Sequence, residues 1–135
     1  MRYRVALVVP ISLTLMWLAA GAPVSAHHSP TAIFDPEKTF EVTGVLTRVE
    51  WTNPHIYWYV DVKDDTGKAI NYAFEGNPPN MYHRAGLRRS DWKVGEVVTV
   101  TAWAAKDGTK HLGFGKTIKY SDGHEIVLRV AQLEN

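Results

Sequence analysis

The sequence predicts an all-β domain: a small OB-like Greek-key barrel of five to six strands, with one short helix between strands three and four. Three observations carry this prediction. Strand-length runs of β-branched and alternating apolar residues recur along the chain, turns rich in Gly, Asp and Pro separate them, and the one helical pattern follows the third strand. A generic β-sandwich or meander is the alternative reading of the same pattern.

The chain opens with Arg2 and Arg4, an apolar run from Val5 to Ala20 and the small-residue triplet Val24-Ser25-Ala26. This is the layout of a cleavable export signal. Residues 1–26 are therefore read as a signal peptide, and cleavage makes His27 the first residue. An uncleaved membrane anchor is the competing reading, against which stand Pro10 within the run and the clean cleavage triplet. Residues 27–39 hold Pro30, Asp35, Pro36 and Glu37 without periodicity and read as an extended arm, with Phe34 able to pin it to the core. Residues 40–135 are the expected barrel domain.

The first strand spans Phe40 to Glu50 on the β-branched series Val42, Thr43, Val45, Thr47 and Val49, with Gly44 as a bulge or bend. Trp51-Thr52-Asn53-Pro54 breaks it. In the second strand Ile56, Trp58, Val60 and Val62 alternate with His55, Tyr57, Tyr59, Asp61 and Lys63, so one face is core and the other aromatic and polar. Asp64 to Gly67 forms a hairpin turn. The third strand, Ala69 to Glu75, sets Ile70, Tyr72 and Phe74 on one side and ends at Gly76-Asn77-Pro78-Pro79. Residues 79–86 read as the short helix, with Met81 and Ala85 one turn apart and Gly86 closing it. After the turn Lys93–Glu96, the fourth strand, Val97 to Ala104, is near-continuously apolar, which predicts cover on both faces. A fifth strand from His111 to Tyr120 and a last one from His124 to Val130 complete the pattern.

Loss of the signal removes two of the 15 Lys and Arg and leaves 13 against 14 Asp and Glu. A near-neutral balance without a basic stripe excludes a nucleic-acid binder. The chain has no Cys, so neither disulfides nor thiolate chemistry are available and stability must come from packing.

His27-His28-Ser29 after the signal, Phe34-Asp35, Glu50-Trp51-Thr52-Asn53-Pro54-His55, Phe74-Glu75 and Lys93 to Val100 together resemble a family of bacterial exported proteins, the domain of unknown function 6152. The resemblance covers essentially all of the chain after the signal, and Asn-Pro-His is its most specific part. It implies export, to periplasm or medium, and a single small domain; it carries no activity.

Chemistry is therefore argued from the histidines. A histidine at a free N-terminus offers its α-amine, of pKa about 8, and its ring Nδ1 to one metal, a chelate suited to Cu(II) when another histidine adds a third nitrogen. Copper is accordingly the expected cofactor, through His27 with His28, His55 or His111. An up-down-up order gathers Glu50, His55 and Glu75 at one end of the strands, and they complete the candidate metal set. Each has a plainer reading: a solvated terminal tail for His27 and His28, a turn hydrogen bond for His55, strand-end charges for Glu50 and Glu75. His83 reads as a surface residue and His124 as part of a strand-end rim.

Tyr57 and Tyr59 share a face with His55, and Trp51 and Asn53 sit in the adjoining loop. Such a face holds oligosaccharide or single strands in OB-folds, and packing beneath the arm is its plainer explanation. Gly113-Phe114-Gly115-Lys116-Thr117 only imitates the end of a phosphate loop, since Lys110 stands where the first glycine belongs and a strand follows. The sequence also holds no Gly-x-Ser-x-Gly elbow and no His-Glu-x-x-His. The expectation is an exported, non-enzymatic binding module holding copper, or alternatively one recognising an envelope glycan or protein through its aromatic face. Membrane contact is expected only through the signal peptide during export.

Overall fold

A computed structural model describes residues 29–128. The expected signal peptide, His27, His28 and the chain beyond Leu128 lie outside the described residues. The element order is helix α1 (Pro30–Ile33), strands β1 (Phe34–Glu50), β2 (Tyr57–Lys63) and β3 (Ala69–Glu75), helix α2 (Pro79–Arg84), a 3-10 turn (Arg89–Asp91), then β4 (Val97–Ala105), β5 (Leu112–Tyr120) and β6 (Glu125–Val127). Among the described residues, no helix is long and apolar enough to cross a membrane.

The strands form one six-stranded sheet in the order β3-β2-β1-β4-β5-β6, antiparallel throughout that order. The expected OB-like barrel is corrected here, because the sheet curls without closing. Its two limbs touch only where Ala73, Phe74 and Glu75 run parallel to Leu112, Gly113 and Phe114. Below Ala73, β3 faces the β4–β5 loop, which has no strand to offer it. At the other end, β5 gives its far edge to β6 through Thr117, Ile118 and Lys119. There are also two short helices where one was expected.

β1 is longer than its β-branched run and takes in Phe34–Thr39, with a register shift between Asp35 and Thr39 where Pro36 interrupts the ladder. A second shift falls between Leu46 and Arg48. Gly44 is thus a close-approach position and the bulge lies further on, since a Cβ on Gly44 would stand 2.2 Å from the Asp61 carbonyl oxygen.

The inner face of the sheet carries the core: Leu46, Val49, Ile56, Trp58, Val60, Phe74, Val98, Val100, Ala102, Ile118 and Tyr120, closed over by Tyr82 of α2, Trp92, Ile126 and Leu128. Gly115 is required there because Trp58 lies flat against it, with ring carbons 2.2 and 2.3 Å from where a Cβ would be. A second, smaller cluster sits on the outer face, where Phe34, Trp103, Ala105 and Phe114 pack together. It pins the start of β1, and α1 is held beside it by the Lys106 ammonium donating to the Thr31 carbonyl at 2.6 Å. β4 is covered on both faces only at this end: Val97, at its start, is 47% exposed.

Candidate functional site

The outer face is organised by register. Trp103 of β4 lies opposite Phe114 of β5, Phe114 opposite Glu75 of β3, Glu75 opposite Tyr57 of β2, and Tyr57 opposite Glu50 of β1. An aromatic pair thus flows into a band of carboxylates and phenols. At its centre Glu75 is 8% exposed and is the one buried charged side chain among the described residues. A carboxylate in such a place needs donors for its oxygens, because burying an unpaired charge costs several kcal/mol.

It has two. Tyr57 donates its hydroxyl to Glu75 Oε2 at 2.7 Å, and His55 Nδ1 bonds Glu75 Oε1. A carboxylate can only accept, so the hydrogen of this bond belongs to Nδ1. In the neutral ring that leaves Nε2, on the opposite side, as a bare acceptor. The His55 side chain is a quarter exposed. Burial and the facing Glu75 carboxylate push the Tyr57 phenol well above the ordinary tyrosine range, so Tyr57 stays a donor at any physiological pH.

Local folding explains why His55 reaches Glu75. The chain leaves β1 at Trp51 and turns through a cis Asn53–Pro54 peptide. Ile56 is then fixed, donating its N–H to the Asn77 carbonyl at 3.3 Å while its carbonyl accepts from Gly76 N–H at 2.9 Å. Ile56 is fully buried, so its neighbours His55 and Tyr57 are delivered to the outer face beside the end of β3.

Next along β2, Tyr59 donates to Glu50 Oε2 at 3.3 Å, Arg48 pairs with Glu50 at 3.1 Å, and the Arg48 guanidinium lies 3.9 Å over the Tyr59 ring. Burial and the Glu50 charge raise the Tyr59 phenol as well, against an opposing pull from Arg48. The structure therefore gathers His55, Glu75 and Tyr57 into one cluster and Glu50, Tyr59 and Arg48 into its neighbour. Arg48, Trp103 and Phe114 were not anticipated; the signal for Arg48 was its place on the polar alternation of β1.

Other candidates fall elsewhere. Trp51 leaves the tyrosine face and packs with the core, its ring 5.0 Å from Trp92 and 6.0 Å from Tyr82. His83 is exposed and lies 5.6 Å from the Trp51 ring, and His124 stacks on Tyr120 at 6.0 Å. Asn53 is exposed in the turn. His111, the last residue of the β4–β5 loop, lies against the Tyr72 ring, 4.7 Å away on the inner side of the sheet, apart from the outer-face cluster. Among the described residues, no three His, Cys, Asp or Glu side chains are grouped as a metal ion would need, so His55, His111, Glu50 and Glu75 do not form a metal-holding group by themselves; His27 and His28, on which the copper expectation rests, lie outside the described residues. Glu75 has already committed both oxygens, and Glu50 turns to Arg48 and Tyr59.

Fold and site together define a small β-sheet domain that presents a carboxylate-held histidine on its outer face. The chain belongs to the family of unknown function DUF6152, whose model matches residues 16–114. That span contains every residue of the cluster. No curated protein and no solved structure matches the chain.

Proposed function

We propose that this domain is an exported, non-enzymatic binding module that recognises an envelope glycan on the outer face around His55, Tyr57 and Tyr59. The observation that carries the reading is Glu75, a buried carboxylate that spends both oxygens on orienting His55 and Tyr57. Such a preorganised shell gives His55 a fixed Nε2 acceptor for a ligand hydroxyl or amide. The half-buried Tyr57 and Tyr59 rings offer apolar edges beside it, and the Arg48–Glu50 pair supplies a further donor and acceptor. A few oriented polar groups set among aromatic surface suit a sugar, whose rings alternate hydroxyls with C–H faces.

The test is a titration of isotope-labelled protein, processed after Ala26, with muropeptides and N-acetylglucosamine oligomers, followed by NMR. The proposal expects shifts centred on the His55 imidazole, Tyr57 and Tyr59, and at least tenfold weaker binding by His55→Ala. Shifts on another surface, or unchanged affinity in His55→Ala, would refute it. Cleavage of the fragments would replace the binding role with hydrolysis using His55 as general base.

A further inference from the structure

The place where the sheet fails to close forms a cavity of about 370 Å³, lined by Phe40, Tyr72, Ala104, Thr109, Lys110, His111 and Leu112. We infer that this opening binds a small aromatic carboxylate, at a site separate from the outer-face cluster.

Its walls are apolar and aromatic, and its rim is cationic. Phe40 stands 6.3 Å from Tyr72, and the His111 ring meets the Tyr72 ring edge-on at 4.7 Å. Together they give the cavity an aromatic surface against which a ligand ring can pack. The volume falls within the range of small-molecule sites, near its lower end. No lining residue is acidic. The loop's one carboxylate, Asp107, is turned back on the loop and accepts from Thr109 N–H at 2.9 Å. Lys106 is occupied at the Thr31 carbonyl, whereas Lys110 is exposed and joins no ion pair among the described residues. Lys110 thus sets an ammonium without an ion-pair partner beside the His111 ring at the mouth of the cavity, while Asp35, opposite Ala104 in the ladder, is paired with Lys38; this mouth is complementary to a ring bearing an anion.

A second observation points to the same place. His111 has φ of 60°, and it is the one non-glycine residue with positive φ among the described residues. That conformation is uncommon outside glycine, His being among the residues that adopt it more readily, and it persists where the surrounding contacts hold it. Here the His111 carbonyl accepts from Ala73 N–H at 2.9 Å, the tie at which β3 and the loop part, and the left-handed turn sets the imidazole on the rim.

Titration with 3-phenylpropanoate, with 3-phenylpropanamide as its neutral counterpart, tests the inference. NMR shifts should map to Phe40, Tyr72, His111 and Leu112, and the amide should bind about tenfold more weakly, the loss expected for a charge-assisted hydrogen bond. Lys110→Met should weaken the carboxylate to the level of the amide. His111→Asn, which tolerates the same backbone conformation, should weaken it without unfolding the domain. Equal binding of acid and amide, shifts confined to other surfaces, or no binding by a folded wild type would each overturn the inference.

Discussion

Replacing Tyr57 by Phe removes one oxygen and leaves the ring, so it isolates the bond that Tyr57 donates to Glu75 at 2.7 Å. A hydrogen bond to a charged group contributes about 1.5–3 kcal/mol. Tyr57 is half-buried, so water can partly replace its hydroxyl, which places the expected loss near the lower end, about 1.5 kcal/mol. With a urea slope of about 1–1.5 kcal/mol per molar for a domain of this size, the unfolding midpoint should fall by roughly 1 M. A double-mutant cycle with Glu75→Gln then apportions the effect: on the neutral amide, Tyr57→Phe should cost well under half as much, giving a coupling of about 1 kcal/mol. Urea melts at neutral pH measure all four corners. A midpoint change below roughly 0.3 M for Tyr57→Phe, or full additivity with Glu75→Gln, would refute the claim that Tyr57 compensates a buried charge.

Gly115→Ala forces a methyl into the Trp58 ring and should cost about 2–3 kcal/mol, seen as a thermal midpoint lower by roughly 10–20 °C; an unchanged midpoint would show that the sheet can yield there. Burial first, and in Tyr57 the Glu75 carboxylate next, raises the phenols of Tyr57, Tyr82 and Tyr120 in the folded state. Their contribution is therefore complete below the ordinary tyrosine value of 10.0 and is lost as pH rises above it, because the unfolded chain releases these protons first. Urea midpoints across alkaline pH should show this fall, and a flat profile would contradict it. His111→Val puts a β-branched residue at positive φ and should cost about 1–2 kcal/mol in urea unfolding, whereas His111→Gly should cost little; equal losses would argue against strain at this position.

Much of the sheet was legible because period-two alternation is a local signal. Ile56, Trp58, Val60 and Val62 fall on one side of the chain before any tertiary structure is known, and the structure packs all four inward. Strand direction follows from the hairpin turns, and direction alone brings the ends of β1 and β3 and the start of β2 together. That is why Glu50, His55 and Glu75 could be named as neighbours, while the partition between them could not. Tyr57 lies opposite both carboxylates in the ladders, yet it bonds Glu75, while Glu50 turns to Tyr59 and Arg48; that choice is made by side-chain geometry, which the alternation pattern does not carry. Closure was not legible either, since it depends on how far β3 and β5 run side by side, and that distance is set by where the β4–β5 loop ends at His111. Trp51 was misplaced for a different reason: it sits past the end of a strand, where alternation no longer says which face a side chain takes. The outer-face cluster joins Phe34 to Trp103 and Phe114 of a distant hairpin; Phe34 could be read as an anchor, but nothing local marks its partners.

Glu75 holds the neutral His55 ring with its hydrogen on Nδ1 and an open acceptor at Nε2. A long-range proton–nitrogen correlation spectrum of the histidine side chains, recorded where the ring is neutral, reads that tautomer directly. Wild-type His55 should show a protonated Nδ1 and a bare Nε2, changing toward the commoner Nε2–H form in Glu75→Leu. A wild-type His55 carrying its hydrogen on Nε2 would contradict it.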